Sequence, residues 1–449
     1  MASTYLSRTP SSSGNRKTFT VSVWLKKTLN NAERGVFSAW NADSTAGHFN
    51  ITFQSDNHLK VGRWSSDIQT TRKFTDVNGW YHLVVAVDTT QATAADRVKS
   101  YINGEQILSA NNGYSAENYP SQNDDIIVNN TVQHNIGRNY YSSPSGLWAG
   151  DMAHFHFTDG TAYAASTFGE TDSTSGVWVP KTNPSVTYGT NGFFLKFENS
   201  GNMGLDSSGN SNNWSVGAGT LTQNIDSPTN VYNTLTFLGG RRGTIGNGGL
   251  SHEGSGATAP DNAFSNFAVQ SGKWYAEAKI ITGNNYNGIG VISEKNPYMN
   301  KGSDYLSSSN DALIYAYSDV YRGGGVISGT YTDMAVNDII QVALDADNNF
   351  LYFGVNGTWQ NSSDPTSGST GTGALNLATY LGTGVDYFIG VETGGAGNTR
   401  KIELNFGGGY FGTTAVASAN ADANGQGIFE YAVPSGYYAM NTKNIKEFG

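Results

Sequence analysis

His154 and His156 stand two residues apart in AHFHFTDG (153–160). On a strand that spacing points both imidazoles from one face, an arrangement that suits a transition metal. Ala153, Phe155 and Phe157 alternate with them as an inward row, so we read the histidines as the outward partners of that row. Asp124 and Asp125 in QNDDIIVNN (122–130), and Asp206 in GLDSSGNSNN (204–213), offer the oxygen ligands that calcium takes. They lack the regular spacing of a calcium loop, so acidic turns are expected there, and no metal or cofactor. Glycoside hydrolysis needs two carboxylates held close together. The strand patterns carry isolated acids instead, such as Glu277 and Glu403. No G-x-S-x-G follows a strand, there is no H-E-x-x-H, and the Gly-rich RRGTIGNGG (241–249) has no Gly-Lys-Ser/Thr. The expectation is a protein without catalysis.

The chemistry that remains is recognition. GRNYYSSPSGLW (137–148) reads as a loop presenting Tyr140, Tyr141 and Trp148. NGYSAENYPSQND (112–124) adds Tyr114 and Tyr119. EKNPYMNKGSDYL (294–306) and YSDVYRGGG (317–325) offer Tyr298, Tyr305, Tyr321 and Arg322. Aromatic rings stack on the flat faces of sugars, and aromatic residues with arginine also form protein contacts. These loop residues therefore fit a glycan site, a protein contact or a subunit interface. Trp80, Trp274 and Trp359 sit inside strand patterns and are expected to be structural.

Composition narrows the classes further. The chain has 449 residues, 26 Lys plus Arg against 36 Asp plus Glu, and no cysteine. A formal charge of −10 argues against a nucleic-acid backbone as partner. The missing cysteine removes disulfides, thiol chemistry and cysteine-held zinc. No apolar run reaches the length of a spanning helix, and MASTYLSRTPSSSGNRK does not read as a secretory signal. Work outside a cell would therefore follow lysis or carriage in a larger particle.

The elements that must position these residues are strands. FTVSVWLKK (19–27) sends Phe19, Val21, Val23 and Leu25 one way; WYHLVVAVD (80–88) does so with Tyr81, Leu83, Val85 and Val87. KWYAEAKI (273–280) aligns Trp274, Ala276, Ala278 and Ile280, and KIELNF (401–406) aligns Ile402, Leu404 and Phe406. TAYAASTFGE (161–170) allows one short helical turn. Two hairpins recur with Asn-Gly at the tip, VKSYINGEQIL (98–108) and YFGVNGTWQNSSDP (352–365), each preceded by a matching strand, VAVD or VALD. Asn-Gly fits a two-residue turn whose central residues both take positive φ. The fold expected is all-β: two tandem antiparallel β-sandwiches, residues 1–230 and 231–449. The polar stretch 200–230 is expected to form no core of its own.

The first half resembles the LamG-like, concanavalin A-like jelly rolls. The resemblance rests on FTVSVWLKK, GHFNITFQSDNHLKVGRW, GWYHLVVAVDTT, RVKSYINGEQI and GLWAGDMAHFHFTDG in that order, and covers most of residues 3–220. The second half resembles a SPRY domain over about 235–445, through GKWYAEAKI, GIGVIS, DIIQVALDADNNFLYFGVNGTW, YFIGVE, IELNFG and VPSGYYAMNT. The joining segment, DGTAYAASTFGETDSTSGVWVPK (159–181) with YGTNGFFLKFENSGNMGLDSSGNSNNW (188–214), is similar to segments in structural proteins of marine tailed phages. That resemblance implies a virion surface protein made in the host cytoplasm. It would be a tail-fibre or adhesion component binding host-surface glycan or protein through sandwich loops. Its partners would be other virion proteins, with no nucleic acid and no membrane insertion, and tail-fibre symmetry would make it a homo-oligomer, a trimer. The alternatives are a head or tail decoration protein with an assembly role, and a glycan-degrading enzyme of the same fold.

Overall fold

The computed structural model describes residues 4–449 apart from 31, 42–46, 64–65, 141–143, 237–242, 258–259, 284–286, 298–304 and 396–398, and the side chains of 140, 144 and 145. The chain divides into two compact units, residues 1–223 and 224–449.

In the first unit an eight-stranded sheet runs in the order Tyr114–Glu117, Ser66–Lys73, His58–Arg63, His48–Phe53, Arg34–Trp40, Gln133–Ile136, Tyr5–Arg8 and Ser215–Ala218. A six-stranded sheet runs Phe193–Leu195, Gly150–Asp159, Thr18–Lys27, Trp80–Asp88, Val98–Ile102 and Glu105–Gln106. The expected alternation holds: Phe19, Val21, Val23, Leu25, Leu83, Val85 and Val87 are buried against Phe37, Phe49, Ile51, Phe53 and Val61 of the other sheet. Every pairing in both sheets is antiparallel. One inward residue was misplaced. A bulge between Ala153 and His156, with His154 at φ 48°, sets Ala153 opposite Trp24 and Met152 opposite Leu25. Trp24 faces outward, so Ala153 does too, and Met152 takes the inward place beside Phe155 and Phe157. The short helical turn at 161–170 is a single 3₁₀ turn, Ala165–Thr167.

The polar stretch after residue 200 is largely part of this unit. Trp214 is buried in its core against Phe193, with ring centroids 4.9 Å apart. Residues 224–230 pack instead with the second unit, where Asn230 Nδ2 donates to Gln426 Oε1 at 3.0 Å.

The second unit repeats the plan. A seven-stranded sheet runs Leu235–Thr236, Asp261–Ser265, Tyr387–Thr393, Asn287–Ser293, Ala312–Ala316, Asp319–Arg322 and Gly325–Ile327. The other sheet is built on Thr244–Gly246, Ser251–Glu253, Lys401–Asn405, Lys273–Thr282, Ile339–Asp345, Phe350–Val355 and Thr358–Trp359. Trp274, Ala276, Ala278, Ile280, Val342 and Phe353 meet Ile289, Val291, Leu313, Tyr315 and Val391 between the sheets. Both units are therefore antiparallel β-sandwiches, with short parallel pairings where Tyr438–Ala439 lies beside Trp274 and Tyr275 and at the bridge between Gly408 and Ile428.

The twin hairpins match in detail. Asn103 and Gly104 have φ 50° and 88°; Asn356 and Gly357 have φ 50° and 85°. Each asparagine also clamps the strand before it. His82 N donates to Asn103 Oδ1 at 2.7 Å and Asn103 N donates back to His82 O at 2.9 Å. Ile339 and Asn356 exchange the same pair, both at 2.9 Å.

Candidate functional site

One outer face of each sandwich holds buried ionisable groups. In the first unit, Thr20, Ser22, Trp24, Lys26, His82 and His156 point away from the core yet are buried. The segment 161–188 lies over them as a strap. It lowers Ala165, Phe168, Tyr163, Trp178 and Val186 onto Val84 and Tyr101, and folds on itself through the pair Gly169–Thr171 and Trp178–Pro180.

Under the strap Ser22 Oγ lies 2.9 Å from His82 Nε2, which has the look of a nucleophile with its base. The tautomer rules that out. Trp178 Nε1–H, which has only a proton to offer, donates to His82 Nδ1 at 3.0 Å. Neutral His82 therefore carries its proton on Nε2 and donates to Ser22, the reverse of what a general base does. Burial, helped by nearby His154, pushes the His82 pKa down to about 3. His156 is held well below its usual range, mainly by burial, and its Nδ1 lies 2.8 Å from the Tyr188 hydroxyl. Its ring stacks on Phe194 with centroids 3.9 Å apart. The bulge at His154 breaks the simple i, i+2 geometry, and no group of three His, Cys, Asp or Glu residues capable of holding a metal occurs among the described residues.

The acidic turns are occupied by their own chain. The Asp206 carboxylate accepts from Phe194 N at 2.9 Å and from Ser208 N, Ser208 Oγ and Asn212 N, each at 2.8 Å. Asp124 pairs with Arg63, and Asp125 is exposed, with its carbonyl accepting from Arg16 at 3.1 Å.

In the second unit, register places Glu277 opposite Asn405 and Glu403 opposite Lys279, so the two acids sit diagonally on one outer face. They still do not make a hydrolytic pair. The fully buried Glu277 carboxylate accepts from Glu430 N at 2.9 Å, Tyr431 N at 2.8 Å, Tyr275 Oη at 3.0 Å and Asn405 Nδ2 at 3.2 Å. Burial pushes its pKa up to about 7 against the pull of those donors. Glu403 pairs with Lys401 at 2.6 Å and accepts from Asn247 at 3.2 Å.

The loop aromatics divide. Trp148 is half-buried, packed on Phe53 with centroids 6.0 Å apart, and belongs to the first core. Tyr114 and Tyr119 likewise pack against that core. The side chain of Tyr140, and all of Tyr141 and Tyr298, lie outside the described residues. Tyr305, Tyr321 and Arg322 are brought together: Gly323 N donates to Ser309 O at 2.8 Å and Gly324 N to Ser307 O at 3.0 Å, which ties the turn after Tyr305 to the turn after Arg322. Glu392, buried beneath, accepts from Ser307 N at 3.1 Å and fixes that turn. Arg322 Nε donates to Tyr380 O at 2.9 Å, and its guanidinium lies 6.0 Å from the Tyr380 ring centroid. Tyr380 escaped the sequence reading because its segment is distant in sequence and belongs to no motif; Glu392 closes the quoted run YFIGVE, but nothing in that run marks it as the support of a loop. Alongside, Tyr321 pairs with Val326, which is 55% exposed on the edge strand.

The chain matches no curated protein. Residues 2–166 match the family model described as the concanavalin A-like lectin/glucanases superfamily. The first unit thus carries a concanavalin-like, LamG-like domain. Among solved structures, the SPRY domain of human HERC1 is similar at 16% identity, covering 36% of this chain and 91% of that one, with a TM-score of 0.27. The TRIM65 PSpry domain is similar at 11% identity over 38% and 88%, with a TM-score of 0.29. A heptameric SAP-like pentraxin from Limulus polyphemus is similar at 17% identity over 36% and 72%, with a TM-score of 0.27.

Proposed function

We propose that this chain is a non-catalytic binding protein of two β-sandwich domains, LamG-like and then SPRY-like. It works on the surface of a tailed-phage particle and attaches to host-surface glycan or protein. The observation that carries the binding reading is the cluster of Tyr305, Tyr321, Arg322 and Tyr380, gathered from three separate segments beside a sheet edge. The paired-looking groups elsewhere support it, since Ser22–His82 has the wrong tautomer and the Glu277 carboxylate is filled by its own chain. The virion setting rests on the likeness of the joining segment to phage structural proteins. In that setting the partners are other particle proteins and the assembly is a homo-oligomer.

The test is binding of the full chain to glycan arrays and to host cells. Arg322→Ala and Tyr380→Ala are each expected to weaken binding about tenfold or more. Binding unchanged in both variants would move the site elsewhere. Stoichiometric binding to particles without any host binding would favour the decoration role, and turnover of a polysaccharide by the wild type would overturn the non-catalytic reading.

A further inference from the structure

The strap over the first sandwich is joined to the sheet beneath through an imidazole that accepts a hydrogen bond from it. Trp178 Nε1–H donates to His82 Nδ1 at 3.0 Å, and its ring fits between two glycines. A Cβ on Gly104 would lie 2.8 Å from the indole and one on Gly169 would lie 2.6 Å from it. His82 in turn stacks on Trp24, with centroids 4.7 Å apart. A proton added to His82 must go on Nδ1, the atom that faces the indole N–H. Two donors would then meet with no acceptor between them, at an imidazole that is itself fully buried.

We propose that the segment 161–188 is an acid-released strap, latched by neutral His82 and freed from the sheet when that imidazole is protonated.

The surroundings favour this direction. The titratable groups on that face include His154, His156 and Asp151 from strand Gly150–Asp159, Lys26 from Thr18–Lys27, Asp88 from His82's own strand, and Lys99 and Tyr101 from Val98–Ile102, with Lys196 and Glu198 acting on His154 in opposite senses. The strap adds Tyr163, Tyr188, the exposed Glu170, Asp172, whose carboxylate accepts from Thr174 N and Ser175 N, and Lys181, whose Nζ donates to Ser166 O at 2.7 Å. His154 and His156 gain charge in the same pH range when exposed, so they add to the release, and His154 already opposes charge on His82. A cation stacked between Trp24 and Trp178 gains some cation–π energy, which burial and the lost hydrogen bond outweigh. With His82 at about 3 under the strap and 6.5 when freed, its titration alone multiplies the released population roughly 25-fold between pH 7 and pH 5. Release would uncover Trp24, Val84 and Tyr101, an aromatic face distinct from the loop cluster of the second unit.

Hydrogen exchange on the full chain, corrected for intrinsic rates, tests this at pH 7.5 and pH 5.0. The expected result is at least about tenfold faster exchange across 161–188 at the lower pH, with strands Thr18–Lys27 and Trp80–Asp88 still protected. His82→Gln keeps an acceptor for Trp178 but does not titrate, and should reduce the acid response to what His154 and His156 supply. Trp178→Phe removes the opposing donor and should reduce the response even if the glutamine variant folds poorly. Equal strap protection at both pH values overturns the proposal. So does an undiminished acid response in both variants, or loss of protection in the core strands together with the strap.

Discussion

Both units lay an aromatic ring on the glycine of their Asn-Gly turn, yet they seal the sheet behind that turn with opposite chemistry. In the first unit Trp178 packs against Gly104; in the second a Cβ on Gly357 would lie 2.9 Å from the Tyr431 ring. The covering segment of the first unit hands a side-chain N–H to a neutral imidazole, His82. That of the second hands two backbone N–H groups, from Glu430 and Tyr431, to the carboxyl group of Glu277. The same hairpin geometry thus carries two latches. One fails when a buried base gains a proton, and the other is strained when a buried acid loses one.

The largest way to break this pairing is Glu277→Ala. It leaves the half-buried N–H groups of Glu430 and Tyr431 and the buried Tyr275 hydroxyl without the acceptor they share. A loss of about 4 kcal/mol is expected in the second unit, with the first unaffected. Calorimetry of the full chain should show one transition falling while the other holds. If both fall together, the units do not unfold independently and the contrast between them loses its meaning.

The pH response sharpens the comparison, because the signs oppose. Glu277 has a folded pKa raised from 4.5 to about 7, so its contribution is whole below pH 4.5 and is lost as pH rises through 7, a change of about 3 kcal/mol. His82 and His134 are depressed by burial from 6.5 to about 3 and about 4. Their contribution is whole above pH 6.5 and is lost on acidification, about 2 kcal/mol each by pH 5. Moving from pH 7.5 to pH 5 should therefore lower the melting temperature of the first unit and raise that of the second. Glu277→Gln should remove the rise. Two transitions moving in the same direction would sink the assignment.

Gly104→Ala probes the shared turn itself. The residue sits at φ 88° and a Cβ there meets the Trp178 ring, so backbone strain and a displaced indole combine. About 2 kcal/mol of destabilisation is expected in the first unit, read by urea unfolding. Gly357→Ala should cost a similar amount in the second unit, and unequal costs would show that the two latches depend on their turns differently.

Much of this was legible in the sequence. Period-2 alternation named the inward rows, and Asn-Gly named both turns, because each signal is local and steric. The outer faces were not legible. Ser22, Trp24, His82 and Glu277 look like solvent-facing positions, since the covering segments come from far along the chain in runs without strand periodicity. Ala153 was misplaced because a bulge leaves no mark on alternation. Asp206 resembled a calcium ligand because a carboxylate that gathers backbone N–H groups uses the same Asp/Ser/Asn vocabulary.

The smallest expected effect separates latch from binding surface. Among the described residues Arg322 makes one hydrogen bond, to the Tyr380 carbonyl, from a half-buried position on a short strand beside the edge. Arg322→Ala should therefore change the stability of the second unit by less than about 1 kcal/mol, far below Glu277→Ala, since the bond it removes leaves a carbonyl that water can reach. If the same substitution abolishes attachment to host cells, the residue serves recognition and the outer-face acids serve the fold. If it instead destabilises the unit as much as Glu277→Ala, then the loop cluster is part of the seal, and the division between a sealed face and a binding edge fails.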